Sequence, residues 1–230
     1  MVLETLAERF PLRELTVTAA GRDWQITAVT DQGALVDRIK TDADLENFPY
    51  GLMLWASAVG LAAKLTQIPE MLHGKPVLEI GAGIGVAGLA AAHVGAAEVI
   101  LTDFLDDALV LCQHNATINS IRNVCVQKAD WRNWPTDLGP FPLIIGSDVL
   151  YDRTVHPLLS ALLPRLVAPG GTVLLSDPLR PQALDFIEQL ERTQQWDITM
   201  ESAQVFFDGQ RKDLAFFLLT RRMTGTDSTG

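Results

Sequence analysis

The chain has 230 residues, a net charge of −10 and a sequence pI near 4.8, and 48% of its residues are hydrophobic. That length suits one sizeable core with at most a small appendage. A surface of this sign repels a phosphate backbone, and no basic cluster exceeds Arg211-Lys212 or Arg221-Arg222, which argues against a nucleic acid substrate. Charged residues interrupt the whole of 1–15, so no signal peptide is expected, and no apolar run approaches the length of a membrane span. Cys112 and Cys125 are the only cysteines, and each lies in or beside an apolar segment. Two free thiols in a reducing cytoplasm are the expected state.

In chain order, residues 15–18 and 24–29 read as strands either side of the turn-like Ala20-Gly21-Arg22-Asp23, an N-terminal β-hairpin. Residues 31–49 are polar and acidic and suggest loops or a short helix over the open end of the fold. Residues 51–67 carry apolar groups at helical spacing, ended by Pro69. From Pro76 the pattern becomes strand 77–80, helix 84–94, strand 98–102, helix 105–118, strand 124–127 and strand 142–147. Helix 154–166, strand 171–176 and helix 181–194 follow. Alternation at this spacing calls for a parallel sheet with helices on both faces, an α/β fold. The alternation then stops. Residues 196–206 and 214–220 are two strands joined through Asp208-Gly209-Gln210, an antiparallel hairpin at the sheet edge. Residues 223–230 read as a disordered tail. The expected organisation is one domain, 1–222, with an N-terminal extension over 1–70.

The segment Val77-Leu78-Glu79-Ile80-Gly81-Ala82-Gly83-Ile84-Gly85-Val86-Ala87-Gly88 is a buried strand running through a glycine turn into a helix. Such a junction lets the backbone approach a nucleoside-containing cofactor and points free helix N–H groups at it. Taken from Gly83 the letters also spell G-x-G-x-x-G, the dinucleotide fingerprint, so a nicotinamide or flavin enzyme competes with other nucleoside users. The strand ends directly at Gly81, which puts Glu79 inside its C-terminal end, where a carboxylate can receive an amino group. Val99-Ile100-Leu101-Thr102-Asp103 ends in an acid about 20 residues beyond the turn, the position of a ribose acceptor.

The glycine turn, the acid Asp103 and the closing antiparallel strand pair resemble the class I, seven-β-strand S-adenosylmethionine-dependent methyltransferases, over nearly the whole chain. The resemblance implies a Rossmann-like mixed sheet of strand order 3-2-1-4-5-7-6. It implies that Glu79 contacts the methionine end of S-adenosylmethionine, that Gly81, Gly83 and Gly85 wrap its backbone side, and that S-adenosylhomocysteine is released. Three further segments narrow the likeness. Pro49-Tyr50-Gly51-Leu52-Met53-Leu54-Trp55-Ala56-Ser57-Ala58 is similar to the helix before the sheet in the lysine protein methyltransferase group. Asp130-Trp131 follows the third strand, where the adenine is held, and Ser147-Asp148-Val149-Leu150-Tyr151 carries the group's D-x-x-Y motif. Bacterial members that resemble this chain act on lysines of the electron-transfer flavoprotein β-subunit. Gly51 stands where those members often have a bulky aromatic, and Ala56 where proline is common. Both departures bear on the acceptor entrance more than on the cofactor.

The chemistry of these residues is consistent with that likeness. Methyl transfer from a sulfonium to an amine is a direct displacement, so the protein must chiefly align nitrogen, methyl and sulfur. Asp148 ends a strand on the same sheet edge as Glu79 and Asp103 and can hydrogen-bond the amine. Tyr151, three residues on, can return over the same pocket and offer its ring to a methylammonium or sulfonium. Trp55 is a candidate wall against the cofactor, Asp130 a candidate acceptor from the adenine amino group, and Trp131 a candidate ring face or N–H donor. Ser147 belongs with these cofactor-facing residues, and His114-Asn115 are candidates for the adenine side. His73, His93, His114 and His156 occur singly, so no metal site is expected. The absence of G-x-S-x-G and G-K-S/T argues against a serine hydrolase and a P-loop enzyme. A monomer acting on a protein lysine is expected. A small-molecule N- or O-methyltransferase, an NAD(P)-linked oxidoreductase and a cofactor-binding protein without catalysis stay open as alternatives.

Overall fold

The computed structural model describes residues 2–37, 39–41 and 48–223. The rest of the acidic 31–49 segment, and the expected tail apart from Met223, lie outside them. The chain opens with helix α1 (Leu3–Arg9), which is not among the expected elements. The hairpin follows, with β1 (Leu12–Ala19) and β2 (Arg22–Val29) in register from Leu12↔Val29 to Ala19↔Arg22. Ala20 and Gly21 close it with positive φ angles of 51° and 74°, the backbone that a tight two-residue turn requires. Helix α2 (Gln32–Val36) is capped by Asp31, whose carboxylate accepts from the Ala34 N–H.

Helix α3 (Ala56–Leu65) begins five residues later than the spacing predicts. Tyr50–Leu52 form a 3₁₀ turn, and Trp55 is extended at φ −115°, ψ 145°, with its indole N–H donating to the Tyr50 carbonyl at 2.9 Å. Apolar spacing alone does not distinguish this extended strap from a helix start. Helix α4 (Pro69–Leu72) then uses Pro69 as a first-turn residue, where its missing N–H costs nothing.

The main sheet holds β3 (Pro76–Ile80), β4 (Glu98–Asp103), β5 (Val124–Lys128), β6 (Phe141–Ser147), β7 (Val167–Asp177), β8 (Trp196–Phe207) and β9 (Gln210–Arg221). Their order is β5-β4-β3-β6-β7-β9-β8. Counted from β3, that is the expected 3-2-1-4-5-7-6. Strands β3 to β7 are mutually parallel, and β9 runs antiparallel to both β7 and β8. The final hairpin is longer than expected, pairing from Trp196↔Arg221 to Phe207↔Gln210. Helices α5 (Val86–Val94), α6 (Asp106–Ile118), α7 (His156–Leu166) and α8 (Pro181–Arg192) connect or flank the parallel strands.

Alternation along the central strands sorts the core into two layers. Val77, Leu143 and Ile145 pack with α3, α5 and α6, while Leu78, Ile144 and Val173 pack with α7 and α8. Both faces are covered, so the strands are nearly continuously apolar. Glycine allows one of these contacts outright: a Cβ on Gly88 of α5 would lie 2.1 Å from Leu101 Cδ2 and 2.3 Å from Glu79 Oε2. The order in which strands are added reverses between the parallel neighbours β3 and β6, and ligands of open α/β sheets bind outside the strand ends at such a switch point.

The N-terminal hairpin is fastened to this unit by two carboxamides of α6. Asn115 accepts from the Thr27 N–H at 2.8 Å and donates to the Thr27 carbonyl at 3.2 Å. Asn119, one turn later, does the same with Gln25 at 3.0 and 2.7 Å. The two side chains stand in for a neighbouring strand along the outer edge of β2. His114 and Asn115 therefore face the hairpin, with His114 Nε2 3.0 Å from Thr27 Oγ1, and the expected adenine side is corrected. Helical spacing places 115 and 119 on one face of α6, toward β2.

Candidate active site

A cavity of about 710 Å³ opens at the C-terminal ends of β3, β4 and β6. Its walls bring together nine of the expected residues: Trp55, Gly81, Gly83, Asp103, Asp130, Trp131, Ser147, Asp148 and Tyr151. Glu79 and Gly85 do not line it. Among the described residues no group of His, Cys, Asp and Glu is arranged to hold a metal ion.

The floor is the glycine turn. Gly81, Gly83 and Gly85 have φ angles of 59°, 55° and 87°, which glycine adopts without steric cost. A Cβ on Gly81 would sit 2.8 Å from Val149 Cγ1 and 3.4 Å from Trp131 Cζ2, so a side chain here would fill the space the cavity uses. Gly85 faces α6 instead, where a Cβ would meet Cys112 Sγ at 3.0 Å. It brings the start of α5 against α6 and does not line the cavity.

Asp103 joins the turn to the end of β4. Its Oδ2 accepts from the Gly83 N–H at 2.9 Å and its Oδ1 from the Leu105 N–H at 3.0 Å. Burial pushes its pKa up, and the N–H groups of Leu105, Gly83 and Phe104 pull it back. A carboxylate offers about four lone-pair sites, so acceptor capacity remains for a ligand hydroxyl.

Glu79 departs from expectation. Its side chain is fully buried, Oε2 accepts from the Gly88 N–H at 2.8 Å, and Oε1 has no hydrogen-bond partner. It supports the first turn of α5 from below the glycine turn, outside the cavity walls. Burial raises its pKa to about 8, against the Gly88 N–H, which lowers it, and with Asp103, which adds to the rise.

At the β5 end, Asp130 is held by Arg132, whose Nε and backbone N–H each lie 2.9 Å from Oδ1. That contact draws the Asp130 pKa below the usual carboxylate range. Trp131 presents its ring toward Gly81. Phe104 and Arg132 also line this end, with the Arg132 guanidinium 5.6 Å from the Phe104 ring centre. The sequence reading did not include them, although both adjoin predicted site residues.

At the β6 end, Asp148 stands at φ 59°, a left-handed backbone uncommon for a side chain larger than glycine. Its N–H donates to the Ser176 carbonyl at 2.8 Å, and its carboxylate is ion-paired with the Arg180 guanidinium. The same Arg180 Nη1 lies 3.0 Å from Asp177 Oδ2. Neither Arg180 nor Asp177 was a sequence candidate, because only strand pairing sets the end of β6 beside the end of β7. Tyr151 is 43% exposed at the mouth, and its ring centre lies 5.4 Å from that of Tyr50. Tyr50 in turn contacts Phe48 at 4.3 Å and Trp55 at 6.2 Å, so the strap before α3 contributes an aromatic wall. The Tyr151 pKa is pushed up to about 12, by burial first and then by neighbouring acids and Tyr50, which keeps its hydroxyl protonated. Ser57 is buried away from the cavity, its carbonyl accepting from Ser176 Oγ at 3.0 Å.

These residues fit a nucleoside-bearing ligand. Bare glycine backbone, an acid with spare acceptor capacity, an aromatic face, a second acid and a tyrosine lie within one cavity.

Comparison with known proteins agrees. A family model described as lysine methyltransferase matches residues 36–193. Electron transfer flavoprotein beta subunit lysine methyltransferase of Mus musculus is 30% identical, over 68% of this chain and 66% of that protein. Protein-lysine N-methyltransferase rrg1 of Schizosaccharomyces pombe is 32% identical over 62% of this chain, which spans about half, 51%, of that relative. Histone-arginine methyltransferase METTL23 of Mus musculus is 31% identical over 76% of this chain and 71% of the relative. Among solved structures, ribosomal protein L11 methylase of Lactobacillus delbrueckii subsp. bulgaricus superposes with a TM-score of 0.55 at 26% identity, covering 74% of this chain and 81% of that one. With well over half of its length matched by the family model, this chain belongs to the lysine methyltransferase family.

Proposed function

We propose that the chain is an S-adenosylmethionine-dependent protein N-methyltransferase whose acceptor is a lysine ε-amine. The observation that carries this reading is one cavity lined together by the glycine turn, Asp103, Asp148 and Tyr151. Bound there, S-adenosylmethionine supplies a sulfonium methyl group: the amine lone pair forms the new N–C bond, and the C–S pair returns to sulfur as S-adenosylhomocysteine forms.

The protein's residues have separate tasks in this scheme. Asp103 accepts from the ribose with the acceptor capacity that the N–H groups of Gly83, Phe104 and Leu105 leave free. The bare turn at Gly81 and Gly83 allows close backbone approach, with Trp131 and Trp55 as walls and Asp130 toward the adenine. Ser147 also lines the cavity, next to Asp148. Asp148 accepts an N–H of the neutral amine and aims its lone pair at the methyl, which reduces the entropic part of the barrier. The incoming lysine ammonium first loses one proton to water, which frees the lone pair, and the displacement then gives the N-methylammonium product. Tyr151 stays neutral and presents a hydroxyl and a ring to the acceptor nitrogen. The net charge of −10 and the free Cys112 and Cys125 support a cytoplasmic, monomeric enzyme acting on a cationic protein side chain.

A guanidinium acceptor is the second reading, favoured by the Arg180 guanidinium resting on Asp148 and by the relative named as a histone-arginine methyltransferase. Incubating the protein and methyl-labelled S-adenosylmethionine with fractionated lysate, then hydrolysing the labelled protein, separates the outcomes. Methyl-lysine supports the first reading and methyl-arginine the second, whereas label confined to small molecules overturns both. Asp148→Asn is expected to bind the cofactor normally in calorimetry and to slow transfer by about 10²-fold. Unchanged turnover removes Asp148 from the reaction.

A further inference from the structure

Two carboxylates stand side by side where β6 and β7 end, and one guanidinium serves both. Asp148 follows Ser147, and Asp177 follows Ser176, its register partner across the strand pair. The Asp177 side chain is fully buried, that of Asp148 is 11% exposed and that of Arg180 is 27% exposed. The Arg180 backbone N–H donates to Asp177 Oδ1 at 2.7 Å, so the base of the arginine is fixed at the N-cap of α8. Its guanidinium bridges Asp177 Oδ2 and Asp148 Oδ1 and lines the cavity.

We infer that Arg180 is a specificity-determining residue: it occupies the cation position on Asp148 and reserves that position for an acceptor delivered by a protein surface. The inference rests on the proposed role of Asp148 as the acceptor site. A tethered cation competes with a free amine at an effective concentration on the order of millimolar or more. A small amine has only its own charge with which to displace it. A lysine on a bound protein adds the binding energy of the surrounding surface. Displacement leaves no buried charge alone, because Arg180 keeps its bond to Asp177 while the incoming cation takes Asp148. With two acids and one built-in cation, the pair has a net charge of −1 that a second cation completes.

The probe is n-butylamine, the side chain of lysine without its backbone, present as n-butylammonium near neutral pH. Binding to the full chain is measured by calorimetry, and methyl transfer with labelled S-adenosylmethionine, for wild type, Arg180→Gln and Arg180→Gln/Asp148→Asn. Arg180→Gln is expected to bind the probe about tenfold tighter than wild type. Adding Asp148→Asn is expected to abolish that gain. If Arg180→Gln alone does not fold, Arg180→Gln/Asp177→Asn removes both partners of the buried pair, keeps an acceptor for the backbone N–H at 180, and is expected to show the same tightening. Equal affinity in wild type and the Arg180 variants overturns the inference. Tighter binding with no transfer either to the probe or to the proteins of the fractionated lysate supports the role of Arg180 and overturns the methyl-transfer reading instead.

Discussion

The Gly83 N–H donates to Asp103 Oδ2 at 2.9 Å, so the acid that ends β4 clamps the glycine turn that follows β3. Cofactor contact and turn geometry therefore depend on one carboxylate. Asp103→Ala is expected to weaken S-adenosylmethionine binding by roughly 10- to 100-fold, the range of charged hydrogen bonds worth about 1.5–3 kcal/mol. Calorimetry measures it directly, and unaltered affinity sinks the ribose assignment.

Glu79 gives the fold a pH dependence. Its ordinary pKa of 4.5 rises to about 8 on burial, so between those values the folded state holds a proton that the unfolded chain has released. The stability this contributes is fully present below the unfolded value, falls as pH rises through the window, and is lost above the folded value. Glu79→Gln imitates the protonated acid and is expected to flatten the dependence, by an amount on the order of a few kcal/mol. Urea midpoints of both proteins, followed from about pH 5 to about pH 9, test this. Parallel profiles would show that Glu79 does not titrate in that window.

Asn115 satisfies both backbone groups of Thr27 and, through Nδ2, also donates to the Ile84 carbonyl at 3.0 Å. Asn115→Ala leaves these buried groups without partners and is expected to cost about 2 kcal/mol or more in urea unfolding. Asn115→Asp keeps the acceptor and loses the donor, so it is expected to lose stability as well. Wild-type stability in both variants would mean that the hairpin is held by apolar packing alone.

Much of the site is legible in the chain because its residues mark the ends of short apolar runs. Gly81 follows Ile80, Asp103 follows Thr102 and Asp148 follows Ser147, and each acid or glycine lines the cavity where its strand stops. The same logic does not foresee that Glu79 and Gly85 stand outside the cavity walls. One residue of alternation turns a strand side chain from the open edge into the helix layer, and a glycine needed for helix packing looks like one needed for a ligand. Arg180 was illegible for a different reason. Its partners are 3 and 32 positions away, and nothing local distinguishes it from an ordinary arginine before a helix. The strap over 51–55 reads as helix in the sequence because Trp55, the residue before α3, makes no side-chain cap that would mark the start; its indole bonds back to Tyr50 instead.

The carboxamide of Asn115 spans two structures that otherwise share little, the outer edge of β2 and the carbonyl of Ile84 within the glycine turn. Ile84 borders the cavity, while β2 takes no part in its walls. A ligand that stiffens the turn therefore also slows the opening of the hairpin, and the amide protons of Gln25 and Thr27 become remote reporters of occupancy, readable by hydrogen exchange without knowledge of the acceptor.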